Sequence, residues 1–128
     1  MATIQKIEDF EAWVKARELN LLIHNTVADH VYAFLPDLRH QMRKSSRSCM
    51  ANLAEGFTRK GNKEFLNFIS IAKGSLIELK SDVYASIDQN LISKPLFDEI
   101  MALIEMVDKL SNGMSRYLGA KIKRDAIK

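Results

Sequence analysis

Arg39, Arg43 and Arg47 recur at every fourth position, so on a helix they stack along one face. Lys44 stands beside them, and Arg59, Lys60 and Lys63 follow. Between residues 39 and 63 these seven basic side chains meet a single acidic one, Glu55. A row of guanidinium and ammonium groups suits contacts with phosphate, which position a strand without reading its bases. A solvated helix surface is the competing reading, but charge this concentrated attracts polyanions at long range. RNA or DNA is therefore the expected partner, through Arg39, Arg43, Lys44, Arg47, Arg59, Lys60 and Lys63. No aromatic residues are interleaved with the charges, so a stacking platform for single-stranded bases is not expected.

Other chemistries lack their residues. His24, His30 and His40 are spaced six and ten apart, and none belongs to a Glu-x-x-His element, so a di-metal centre of the kind found in helical bundles is not expected. Glycine-rich phosphate-cradling loops are absent. Ser45, Ser46 and Ser48 fall within a helical pattern, which offers no strained elbow to expose a nucleophile. Cys49 is the only cysteine, which excludes an intrachain disulfide, and its place on an apolar seam suits a small buried hydrophobe. No catalytic residue, metal or cofactor is assigned, and an enzyme is not expected.

Four helical patterns must carry the basic face. The first starts between Ile7 and Phe10 and keeps three-four apolar spacing through Trp13, Leu19, Ile23, Val27, Val31 and Phe34. Leu35 ends it, because a residue before proline is pushed out of the helical region. Pro36 suits the first turn of the second helix, which runs to Phe57 or Thr58. Its seam of Leu38, Met42, Ser46, Cys49, Leu53 and Phe57 is narrow and partly built of small residues. Gly56 and Gly61 bracket a basic turn, with Gly61 read as a left-handed residue and Asn62 as the next cap. The third helix continues to about Gln89, and Gly74 with Ala72 and Ser75 marks a tight crossing. The fourth starts from the cap Ser93, with Pro95 in its first turn, and runs to about Gly119. Asn52, Glu55, Ser75 and Glu78 are the expected structural polar residues, fixing register where they are buried.

These patterns predict an all-α, left-handed, up-down-up-down four-helix bundle over residues 1–120, followed by a frayed basic tail over 121–128. A composition 47% hydrophobic with only 2 prolines supports an ordered helical domain. No apolar run approaches the ~20 residues of a membrane span, so no membrane association is expected. Met1 to Phe10 lacks the pattern of a signal peptide, which makes the cytoplasm the expected location. The apolar stripe of the fourth helix, from Leu96 to Leu118, is wider than one bundle face requires and predicts a homo-oligomer. A protein-interaction or scaffolding module with a protein partner and no nucleic acid is the alternative.

Several elements carry a family resemblance: Gln41-Met42-Arg43-Lys44, Ala51-Asn52-Leu53-Ala54-Glu55-Gly56, Glu64-Phe65, and Ile71-Ala72-Lys73-Gly74-Ser75-Leu76-Ile77-Glu78-Leu79. With Phe10-Glu11-Ala12-Trp13 they resemble the bacterial intervening-sequence proteins, encoded by insertions in large-subunit ribosomal RNA genes. The resemblance spans roughly residues 7 to 118 and implies a four-helix protomer assembled as a homopentamer. A related accessory protein of diversity-generating retroelements shares the architecture and binds nucleic acid and a reverse transcriptase through a basic surface. Arg47 departs from the resemblance, standing where a small or β-branched apolar residue is usual.

Overall fold

A computed structural model describes residues 4–127, and among them there are four α-helices and no strand. A 3-10 turn at Ile7–Asp9 leads into α1 (Glu11–Val27). Helix α1 ends well before Leu35, which corrects the single long helix expected there. The Asp29 side chain accepts a hydrogen bond from Val31 N at 3.0 Å and starts a separate 3-10 helix, His30–Phe34. Three-residue turns rotate the side chains differently from an α-helix. Tyr32 is thereby fully buried, while Phe34 is 87% exposed and is not the core residue its spacing suggested.

Helix α2 (Pro36–Phe57) opens on its proline, and α4 (Lys94–Ala126) opens on Ser93, whose hydroxyl accepts from Leu96 N at 3.3 Å. Helix α3 (Asn62–Asp88) starts differently from expectation: Gly61 is extended, at φ −87°, and is itself the cap, while Asn62 is already helical. The left-handed residue is Asn90, at φ 59°, which turns the chain after α3 so that Leu91 N can donate to Ser86 O at 2.9 Å. Helix α4 runs on past Gly119 to Ala126, so the expected basic tail is helical from Lys121 to Ala126. Lys128 lies outside the described residues.

Side-chain hydrogen bonds join consecutive helices. Ser46 of α2 donates to Asn20 of α1, Ser48 of α2 meets Ser75 of α3, and Lys73 of α3 donates to Asn112 of α4. Each helix packs on its two neighbours in chain order, and α4 closes back on α1. Leu19, Ile23, Met42, Leu53, Ile69, Leu76, Leu79 and Ile100 are fully enclosed between them. Each such side chain contributes about 1.5–3 kcal/mol relative to exposure.

The tight crossing lies between α2 and α3, at Gly56 and not at Gly74. A Cβ added at Gly56 would come within 2.9 Å of both Phe65 Cδ1 and Phe68 Cβ, whereas Gly74 faces open space. Phe65 also meets the Phe10 ring edge-on at a centroid distance of 5.6 Å, closing the end of the core. At the opposite end the Tyr32 hydroxyl is buried and has no partner of hydrogen-bonding geometry among the described residues. Burial pushes its ionisation up, the nearby Ser86 hydroxyl opposes that, and the Asp29 carboxylate adds to it.

Candidate nucleic-acid interface

The outer side of the α1–α2 pair carries a cleft of about 640 Å³. His40, Arg43, Lys44, Arg47 and Ala51 line it from one face of α2, spaced so that successive turns present them together. Asn20 and His24, one turn apart, line it from α1. The floor is polar: Ser46 is buried and donates to Asn20 Oδ1 at 3.1 Å, with the Arg43 carbonyl at 3.2 Å as its second acceptor. None of the lining residues is an aspartate or glutamate. Arg43, Lys44 and Arg47 are exposed, and among the described residues none of the three has a carboxylate partner. Three permanent cations around a concave polar floor make a surface that attracts anions and can hydrogen-bond phosphate oxygens.

The seven basic residues grouped by the sequence do not form one surface. Arg39 is half-buried; its Nε donates to the Val27 carbonyl at 2.9 Å and its Nη2 to the Asp29 carbonyl at 3.2 Å. Its guanidinium thus satisfies carbonyls where α1 ends, a position that also favours positive charge. Arg59 pairs with Glu55 at 2.5 Å and lies over the Phe68 ring at 5.0 Å from its centroid. Lys60 and Lys63 are exposed at the α2–α3 joint. That joint begins where α2 ends at Phe57, ten residues beyond Arg47, or roughly 15 Å at the usual rise.

The structural polar residues also divide. Asn52 donates to the Ser48 carbonyl at 2.8 Å and to Ser48 Oγ at 3.2 Å, and Ser48 shares a hydrogen bond with Ser75 at 2.9 Å, so these three join α2 to α3. Glu55 and Glu78 are exposed. Glu78 acts on its neighbour: the Asp82 carboxyl is pushed up from its ordinary value, first by burial and then by the Glu78 charge. Cys49 is buried, and burial pushes its thiol up to about 12, which leaves no nucleophilic thiolate at neutral pH.

Asn20, His24, His40 and Ser46 were not among the residues singled out for binding. His40 precedes Arg43 by one helical turn and was readable as part of its face. Asn20 and His24 come from a helix far away in sequence, and only the packing of α1 on α2 brings them to the cleft.

A family model, the 23S rRNA-intervening sequence protein, matches residues 8–113, most of the chain. The chain belongs to that family. The match covers both walls of the cleft and the α2–α3 joint, and it accords with the resemblance carried by the Asn52-x-Ala54-Glu55-Gly56 and Gly74-Ser75 elements. The family is one of intervening-sequence proteins and not a known class of enzymes. No curated protein matches the chain. Among the described residues no helix is long and apolar enough to cross a membrane, and no three His, Cys, Asp or Glu side chains are grouped to hold a metal ion.

Proposed function

We propose that this member of the 23S rRNA-intervening sequence proteins is a non-enzymatic, cytoplasmic nucleic-acid-binding protein. It holds RNA or DNA through phosphate contacts and without sequence preference. The observation that carries the reading is the α2 face: Arg43, Lys44 and Arg47 are exposed, without carboxylate partners among the described residues, beside a cleft that no acid lines. Lys60 and Lys63 add charge at the joint, Arg59 contributes through what its pair with Glu55 leaves exposed, and Arg39 acts mainly in holding α1 to α2. The protomer is taken as a left-handed up-down-up-down bundle, assembled as the homopentamer the resemblance implies. Assembly would repeat one modest patch around the ring and multiply its affinity.

Affinity for a generic RNA, followed as salt is raised, tests the mechanism. Binding by phosphate contacts falls linearly in log K against log salt, and affinity that stays flat contradicts it. The mass of the protein in solution tests the assembly in the same samples.

Exposed apolar side chains favour the second reading, a protein-interaction module. Ile77 on α3 is 61% exposed, and Met106 and Tyr117 on α4 are 44% and 39% exposed. Such residues suit a subunit contact or a protein partner. A protein that purifies free of nucleic acid and ignores added RNA at low salt would favour that reading over the first.

A further inference from the structure

Two groups in the α1–α2 cleft have no role in a purely Coulombic reading. His24 reaches it from α1 and His40 from α2, and both side chains are exposed. Two contacts fix the register of this antiparallel pair: Arg39 with the Val27 carbonyl, and Ser46 with Asn20. In that register His24 stands level with Met42, between His40 and Arg43. Neither imidazole has a hydrogen-bond or ion-pair partner among the described residues.

The charged groups facing them are Arg43, Lys44 and Arg47, all from α2; α1 adds the neutral Asn20, and no lining residue comes from α3 or α4. A protonated imidazole donates from both ring nitrogens, and a phosphate oxygen accepts such bonds strongly. An anion lodged between the two helices would therefore favour protonated rings, and protonated rings would favour the anion; the two equilibria are linked. The volume of about 640 Å³ lies within the range of small-ligand sites and is ample for one phosphate with its flanking sugars.

We propose that the α1–α2 cleft seats one phosphate group of the bound strand, with His24 and His40 donating to it in their protonated form. Nucleic acid is then held more tightly in mildly acid solution. The proposal rests on the nucleic-acid reading of the α2 face for its ligand, but the cleft itself can be probed without RNA.

Inorganic phosphate is the first probe, with the imidazole C–H resonances of the full chain as the readout. His30 is an internal control: it does not line the cleft, is 91% exposed, and lies beside Asp29 with Nδ1 3.3 Å from Oδ1. Phosphate should shift the resonances of His24 and His40 while leaving those of His30 in place. Equal movement of all three, or no movement, overturns the site.

RNA is the second probe, at fixed ionic strength. Affinity should rise about tenfold between about pH 8 and about pH 5.5, across the range where imidazoles take up protons. The double variant H24Q/H40Q should lack the gain. A gain that persists in the double variant, or a flat profile in the parent, overturns the proton-linked contact. If RNA fails to bind at any pH while phosphate still moves His24 and His40 alone, the cleft stands as a phosphate site and the nucleic-acid reading falls.

Discussion

The two sides of α2 use similar small residues to opposite ends. Toward α3 it presents Ser48, Asn52 and Gly56, and the neighbour answers with Ser75, Phe65 and Phe68. Hydrogen bonds of 2.8–3.2 Å and a glycine with no room for a Cβ close that joint. Toward α1 it presents Ser46 and Ala51, and the neighbour answers with Asn20 and His24. One serine–asparagine bond holds the floor of a cleft rimmed by cations, which Ser48 also lines. Small side chains let helices approach only where the partner supplies bulk or a matching polar group; elsewhere they leave space. One side of α2 thus holds the fold together, and the other is left available for a ligand.

The sharpest way to break this contrast is at Gly56. Gly56→Val should cost about 3 kcal/mol of stability, because Phe68 Cβ is anchored to its backbone and cannot swing aside. Chemical denaturation measures it, and a loss below about 0.5 kcal/mol would show that the α2–α3 joint is looser than described.

Arg39 is predicted to belong with the packing of α1 on α2 and not with the ligand, despite lying on the stripe of Arg43 and Arg47. Arg39→Ala strands the Val27 and Asp29 carbonyls at the end of α1 and should cost about 1–2 kcal/mol, with RNA affinity reduced by less than about threefold. The reverse pattern, intact stability with a large loss of binding, would move Arg39 to the interface.

Arg59→Ala removes an exposed ion pair with Glu55 and a contact over the Phe68 ring. The expected loss of stability is no more than about 1 kcal/mol. A larger loss in thermal denaturation would mean that the turn is held by this side chain and not by the packing at Gly56.

A further effect is one of pH. The Cys49 thiol, held near 12 in the fold against an ordinary 9.0, is more easily ionised in the unfolded chain. Its contribution to stability is complete below about pH 9 and is lost as the pH climbs from there through about 12. The thermal midpoint should therefore fall more steeply above about pH 9 in the parent than in Cys49→Ala. Parallel curves would show the thiol to be reached by water.

The helix starts were legible where single residues act locally. Pro36 and Ser93 announce α2 and α4 through a fixed φ and a capping hydroxyl, and both do so in the structure. The end of α1 was not legible, because no proline or glycine marks it and the apolar spacing continues through Val31 and Phe34. What stops the helix is Asp29 capping a 3-10 turn together with Arg39 from the next helix, and the second of these is a tertiary contact. The glycines misled for the same reason. Whether Gly56 or Gly74 lies at a crossing depends on which faces meet, and the sequence places both in helices. The basic residues were found by their spacing, but their division into free and engaged groups depends on partners such as the Val27 carbonyl and the Phe68 ring. The histidine of α1 could be joined to the site only once α1 lay beside α2.

The most direct test of the α2 face compares the salt dependence of RNA binding in the parent and in R43Q/R47Q, which leaves the α2–α3 joint untouched. Each arginine that meets a phosphate should reduce the slope of log K against log salt by about one, so the variant should bind more weakly with a slope shallower by about two. Parallel lines with the same slope would mean that Arg43 and Arg47 do not touch the strand, and the assignment of this face would fail.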